Sequence, residues 1–178
     1  MRRVIFFRHA KSDQGAAVSS DHERPINDRG RRAARAMGRF LAISGQVPER
    51  AVCSSARRAR ETLEVATEAG GWSVDVDVLD ELYLAGSGGV LDVLRREADG
   101  TRSLLVVGHE PTCSEMVGRL STQRPSPGAG SRVRFATATM ARVDLPIESW
   151  ADCDAGIGDI RWVVPAKLLT KGDFEFVD

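Results

Sequence analysis

Two histidines, His9 and His109, each stand directly after one of the two most apolar runs of the chain. His9 follows Val4-Ile5-Phe6-Phe7-Arg8, and His109 follows Ser103-Leu104-Leu105-Val106-Val107-Gly108. Each run reads as a short, fully buried strand that stops abruptly at polar residues. In open α/β sheets the carboxyl edge of the strands is where ligands bind. Two imidazoles delivered to equivalent places on that edge can open on one crevice. A neutral imidazole there can act as a nucleophile or exchange a proton. Cations stand nearby. Arg8 adjoins His9, and Arg57, Arg58 and Arg60 begin a helix just after the second strand. A guanidinium is a planar fork that matches phosphate oxygens. A cation at a helix N-terminus is unfavourable unless an anion is there, so at least one of these three arginines is expected to face a bound anion.

The elements that must position these groups follow from the pattern. After the first strand a long polar loop runs from Ala10 to Ile26, a length that suits a functional loop. Asn27 is the expected N-cap of a helix with Ala33, Met37, Phe40 and Leu41 on its core face, ended by Gly45. Ala51-Val52-Cys53 form the next strand. Ser54 or Ser55 is expected to cap a second helix, which Gly70-Gly71 stops. Residues 72–79 alternate and read as a strand with one wet face. Asp80-Glu81-Leu82-Tyr83 and a Gly-rich turn follow, then a helix around Val90-Leu94. After the 103–107 strand, Pro111 suits the first turn of a helix through Leu120. Residues 121–131 read as a loop, and 137–145 and 160–164 as two late strands. The tail, 166–178, carries weak signals. This alternation predicts an α/β fold, a three-layer α/β/α sandwich with a mostly parallel sheet, in a single domain over 1–178.

Bulk composition narrows the class. With 178 residues, 42% hydrophobic and 28% charged, the chain suits one globular domain. Lys plus Arg and Asp plus Glu both total 25, so net charge points to neither nucleic acid nor membrane, and no DNA-binding motif accompanies the arginines. The apolar run at the start is too short for a secretory signal, and none approaches membrane-spanning length. A cytoplasmic location is the expectation. Cys53, Cys113 and Cys153 are odd in number and lack CxxC spacing, which argues for buried thiols rather than disulfides or zinc.

Four blocks, in order, resemble the histidine phosphatase superfamily, which has the phosphoglycerate mutase-like fold. Arg8-His9-Ala10-Lys11-Ser12 resembles its Arg-His-Gly signature, in the variant of the SixA-like phosphohistidine phosphatases. Asp21-His22-Glu23-Arg24-Pro25-Ile26-Asn27-Asp28-Arg29-Gly30 is similar to its Asp-x-x-Arg-Pro-Leu-x-x-x-Gly block. Ser54 to Thr62 matches its Ser-Pro-x-x-Arg-Ala-x-x-Thr block, which selects Arg58 from the arginine cluster. Val107-Gly108-His109-Glu110-Pro111 matches its second-histidine block. The resemblance runs from residue 3 to about 145. Ala10 replaces the signature glycine and requires an ordinary backbone conformation. Ser55 replaces a frequent proline.

The resemblance implies a metal-independent phosphatase. His9 is then the nucleophile, and Arg8, Arg58 and His109 hold the phosphoryl oxygens. Glu81, in a Leu-x-Glu-like context, is the candidate general acid. Asp21 is a weaker alternative, better read as a loop residue paired with Arg24. Lys11 and Ser12 are candidate substrate contacts. Tyr83 and Trp72 read as packing residues. No cofactor and no metal are implied. The SixA-like variant implies a histidine-phosphorylated signalling protein as substrate. A phosphatase of small phosphate monoesters and a non-catalytic phosphate-binding module stay open as alternatives, and a mutase is weaker because it needs a closed site.

Overall fold

The computed structural model describes residues 1–121 and 133–170. Most of the loop expected at 121–131, and the tail beyond 170, lie outside the described residues. Six strands form one sheet: β1 (Arg2–Arg8), β2 (Arg50–Ser54), β3 (Asp75–Leu79), β4 (Ser103–Gly108), β5 (Thr139–Leu145) and β6 (Asp159–Pro165). Their order is β3-β2-β4-β1-β5-β6. The first four are mutually parallel, and β5 and β6 add an antiparallel edge. The helices are α1 (Asp28–Ile43), α2 (Arg57–Gly70), α3 (Glu81–Leu84), α4 (Ser87–Arg95), α5 (Thr112–Ser121) and α6 (Lys167–Thr170).

The central strand β1 is apolar and buried from Val4 to Phe7 because both of its faces are covered there. Ile5 and Phe7 pack with Met37 and Leu41 of α1 and Leu63 of α2. Val4 and Phe6 point the other way, to Leu91 and Leu94 of α4 and Met116 and Leu120 of α5. Helices on both faces of a mostly parallel sheet make the expected three-layer sandwich. No helix among the described residues is long and apolar enough to cross a membrane. The three thiols are unpaired and buried, and burial pushes each of their pKa values up.

Local signals place most helix ends. The Asn27 side chain accepts the Gly30 N–H at 2.9 Å, as an N-cap does. Gly71 ends α2 with φ +65°, a conformation glycine adopts without penalty. α1 and α2 pack closely at Gly38, where an added Cβ would lie 1.9 Å from the Ala66 carbonyl oxygen. The core face of α1 is centred on Ala34, Met37 and Leu41, while Ala33 and Phe40 flank it half-buried.

Two local expectations need correction. Neither Ser54 nor Ser55 caps α2: its N-cap is Ala56, without a side-chain hydrogen bond. The alternating 72–79 stretch forms a strand only from Asp75, and β3 sits at the sheet edge with Val76 and Val78 substantially exposed. An edge strand flanked on one side only cannot bury its inward face as fully as a central one. Just beyond β3, Glu81–Leu84 makes a helical turn, which sets where Glu81 points.

Candidate active site

Register brings the two histidines together. In the parallel β1–β4 pair, Arg8 lies opposite Gly108, so the next residue on each strand is a histidine. The His9 N–H donates to the Gly108 carbonyl at 2.9 Å. The two rings sit with centroids 5.1 Å apart, tilted by 58°.

The His9 ring is held in one tautomer. Its Nδ1 lies 2.8 Å from the Ala10 carbonyl oxygen. A carbonyl only accepts, so Nδ1 carries the proton and Nε2 keeps a lone pair. Arg58 Nε donates toward that Nε2 at 3.3 Å. Burial pushes the His9 pKa down to about 3, with His109, Arg58 and Arg8 adding to the depression and the Ala10 hydrogen bond opposing it. His9 is therefore neutral at any ordinary pH. Thr62 braces the same loop: its hydroxyl accepts the Ala10 N–H at 2.9 Å and donates to the Arg58 carbonyl at 2.5 Å. Ala10 has negative φ, as its side chain requires.

His109 is also neutral. Burial first, and then the Arg58 charge, hold its pKa down at about 4, against the opposing pull of Asp21. Its Nε2 is 2.8 Å from Ser54 Oγ, and its Nδ1 is buried with no hydrogen-bond partner. Ser54 thus fixes the second imidazole instead of capping α2. Ser55 meets His22 Nε2 at 3.0 Å.

The arginine cluster separates by position. Arg58 is buried, with Nη1 donating to the Asp21 carbonyl at 2.7 Å and Nη2 paired to the Asp21 carboxylate at 3.0 Å. Arg57 turns to Glu61 and Arg60 to the Ser55 carbonyl. Arg8 donates from Nη1 to the Phe135 carbonyl at 2.6 Å, leaving Nε buried without a partner. Two guanidinium groups and two neutral imidazoles around one opening suit a tetrahedral oxyanion.

Asp21 and Tyr83 complete the rim. Asp21 pairs with Arg24, as expected, but it also meets Arg58 and accepts from the Tyr83 hydroxyl at 3.1 Å. Burial raises its pKa, yet Arg58, Tyr83 and Arg24 together outweigh that and hold the carboxyl below its usual range. The Tyr83 ring lies edge-on to His109 at 5.7 Å and to His22 at 4.9 Å. Read as packing in the sequence, Tyr83 is part of the site. Ser54 and Thr62 are similarly recruited, and their only sequence signal is their place in the Ser54–Thr62 block.

Glu81 is not brought to this opening. Its carboxylate binds Arg96, just past α4, at 2.7 Å and lines a separate cavity with Arg50 and Asp77. Successive helical residues are about 100° apart, so Glu81 and Tyr83 leave the α3 turn on opposite sides. Ser12 is buried in a bridge to Ile26. Lys11 lies beside the first turn of α1, where an added Cβ on Gly30 would come within 2.3 Å of the Lys11 carbonyl oxygen. Neither Lys11 nor Ser12 is hydrogen-bonded to His9, His109, Arg8 or Arg58. Among the described residues no group of three or more His, Cys, Asp and Glu is placed to hold a metal ion.

Comparison with known proteins identifies the family. The family model of the histidine phosphatase superfamily (branch 1) matches residues 4–83. An uncharacterised protein of Mycobacterium tuberculosis is 34% identical over 152 residues, covering 84% of this chain and 92% of its own. The structure of a Nakamurella multipartitia protein assigned as the phosphohistidine phosphatase SixA superposes with a TM-score of 0.77 and 32% identity, covering 92% of this chain and 95% of that one. The protein histidine phosphatase SixA complexed with tungstate has a TM-score of 0.77 and 28% identity, covering 94% and 99%. The chain belongs to the histidine phosphatase superfamily. Within it, the family and the SixA-like fold define a phosphatase.

Proposed function

We propose that this phosphatase removes the phosphoryl group from phosphohistidine on a signalling protein, through a transient phosphohistidine on its own His9. The observation that carries the mechanism is the His9 ring: proton held at Nδ1 by the Ala10 carbonyl, lone pair at Nε2 facing Arg58. Nε2 attacks phosphorus in line, and the substrate's P–N bond breaks. The electron pair goes to the leaving imidazole, which departs neutral because its other ring nitrogen carries a proton. Water then attacks phosphorus, the P–Nε2 bond breaks, and phosphate leaves. Arg8, Arg58 and His109 hold the equatorial oxygens and offset the charge of the transition state, the main task in phosphoryl transfer.

Two features favour a phosphohistidine substrate. The carboxylate at the rim, Asp21, is held ionised, and Glu81 faces away. A site with neither carboxylic acid ready suits a leaving group that brings its own proton, as a protonated imidazole does and an alkoxide does not. The similarity to SixA proteins, one of them captured with the tetrahedral oxyanion tungstate, supports the same class.

The test is phosphate release, in the presence of EDTA, from a histidine-phosphorylated protein and from a panel of small phosphate esters, with His9→Ala as control. Preferential release from the phosphoprotein, abolished by His9→Ala, is the expected result. Preference for an ester would overturn the substrate class. Undiminished turnover by His9→Ala would overturn the nucleophile.

A further inference from the structure

A second cationic feature lies beside the active site. Lys11, Arg29, Arg32 and Lys167 line a cavity of about 260 Å³, closed on one side by Ala136 and Thr137. No Asp or Glu lines it among the described residues. Among the described residues none of these four cations is in an ion pair there, although Arg31 on the same helix is paired with Glu61. Four cations around one concavity repel one another, and an anion in the cavity relieves that repulsion.

The fold ties this cavity to the catalytic opening. Phe7 pairs with Met140, and Thr139 with Pro165, so the ends of β1 and β6 lie at one edge of the sheet. Lys11 is two residues beyond His9, within about 7 Å along the chain. The residues flanking the Ala136-Thr137 wall are bonded to the catalytic strand end. The Phe135 carbonyl accepts from Arg8, and the Ala138 N–H donates to the His9 carbonyl. A polypeptide with its phosphohistidine at His9 has its neighbouring side chains within reach of the cavity.

We infer that the Lys11–Arg29–Arg32–Lys167 cavity is a docking site for acidic side chains of the phosphorylated protein substrate. The inference rests on the reading that the substrate is a protein. Lysine and arginine on long stems around an open concavity suit carboxylates that differ in exact placement from one partner to another. Charge complementarity of this kind speeds encounter and lowers KM, and it weakens as salt screens it. One other source of carboxylates exists: Asp173, Glu175 and Asp178 follow Thr170, itself a wall residue, in the sequence. Carboxylate recognition is common to both sources, and the substrate is favoured because the segment that walls the cavity is bonded on both sides to Arg8 and His9.

The experiment uses the full chain and Arg29→Glu/Arg32→Glu, two exposed positions on the outer side of α1. Binding of a fluorescent deca-glutamate peptide is followed by anisotropy, and turnover is measured on phosphoramidate and on an acidic histidine-phosphorylated protein. The double variant is expected to bind the peptide about tenfold more weakly and to show a KM for the phosphoprotein raised about tenfold. Its phosphoramidate turnover and its thermal midpoint stay at the wild-type level. Equal peptide binding by both proteins would refute the docking site, whatever the substrate proves to be. Peptide binding lost in the variant, with no phosphoprotein turnover by the wild type, would overturn the proposed substrate and leave an anion site without its assigned partner, which also refutes the inference. Peptide binding about tenfold tighter in Asp173→Asn/Glu175→Gln/Asp178→Asn would make the chain's own carboxylates the occupant and overturn the assignment to substrate.

Discussion

Thr62→Val removes one hydroxyl from beneath the catalytic loop and keeps the side chain's shape. Thr62 is fully buried, and its oxygen is the acceptor for the Ala10 N–H. The hydroxyl's other bond, to the Arg58 carbonyl, matters less. That carbonyl lies four residues earlier in α2, where the helix itself supplies a donor. The cost is therefore mainly one buried N–H left without an acceptor, about 1–3 kcal/mol. With a denaturant slope of about 2 kcal/mol per molar urea for a domain of this size, a loss of about 2 kcal/mol moves the unfolding midpoint down by about 1 M. Turnover falls as well, because the Ala10 carbonyl sets the His9 tautomer from the same residue whose N–H has been released. A misplacement worth about 1.4 kcal/mol at the transition state is a tenfold loss in kcat. Thr62→Ser restores the hydroxyl and is expected to recover most of kcat, which separates the hydrogen bond from general loosening. A Thr62→Val protein with a midpoint within about 0.2 M of wild type would refute the reasoning, since the Ala10 N–H would then have another acceptor.

Other substitutions and conditions test the remaining geometry. Both active-site imidazoles are buried neutral, with pKa values of about 3 for His9 and about 4 for His109 against 6.5 when unfolded. The unfolded chain therefore takes up protons first, so their contribution to stability is whole above about pH 6.5 and shrinks on acidification. Between about pH 6.5 and 5, before carboxylates titrate, stability should fall by up to about 1.4 kcal/mol per pH unit for each histidine. Urea midpoints measured across that window would be flat if the rings were protonated in the folded state. Glu81→Gln should leave kcat within about twofold of wild type on phosphohistidine and ester substrates alike, because its carboxylate serves Arg96. A loss of a hundredfold or more would return the proton to Glu81. Ser54→Ala frees His109 Nε2 and should lower kcat about tenfold with little change in thermal midpoint; unchanged kcat would show that Ser54 does not orient the ring. Gly38→Ala drives a methyl into the Ala66 carbonyl, and the clash of about 1–3 kcal/mol should exceed the helix-propensity gain of about 1 kcal/mol. A higher melting temperature would show that the two helices separate freely.

The α/β class, the two strands that end in histidine and the N-cap at Asn27 were legible because each depends on neighbours in the chain. A run such as Val4 to Phe7 needs burial on both faces, and burial on both faces means a central strand between helical layers. Arg58 was legible only through the order of the four blocks. Position alone left Arg57, Arg58 and Arg60 equivalent, and the fold separates them by turning Arg57 to Glu61 and Arg60 to the Ser55 carbonyl.

What the sequence determined by itself was which groups arrive at the sheet edge: two imidazoles and a set of guanidiniums, delivered by strand ends and a helix start. What only the tertiary structure decided was where the residues just beyond those ends point. Had residues 80–84 been extended, Glu81 and Tyr83 would have shared a side, since strand side chains repeat every two residues. Coiled into one turn, they part by about 200°, and Tyr83 rather than Glu81 reaches His109 and Asp21. Ser54 and Ser55 carry the signature of helix caps, but the end of β2 gives them to different partners, one to His109 and one to His22. Local propensity specifies the turn a residue can make; the partner across the sheet, set by packing, specifies which hydrogen bond it keeps.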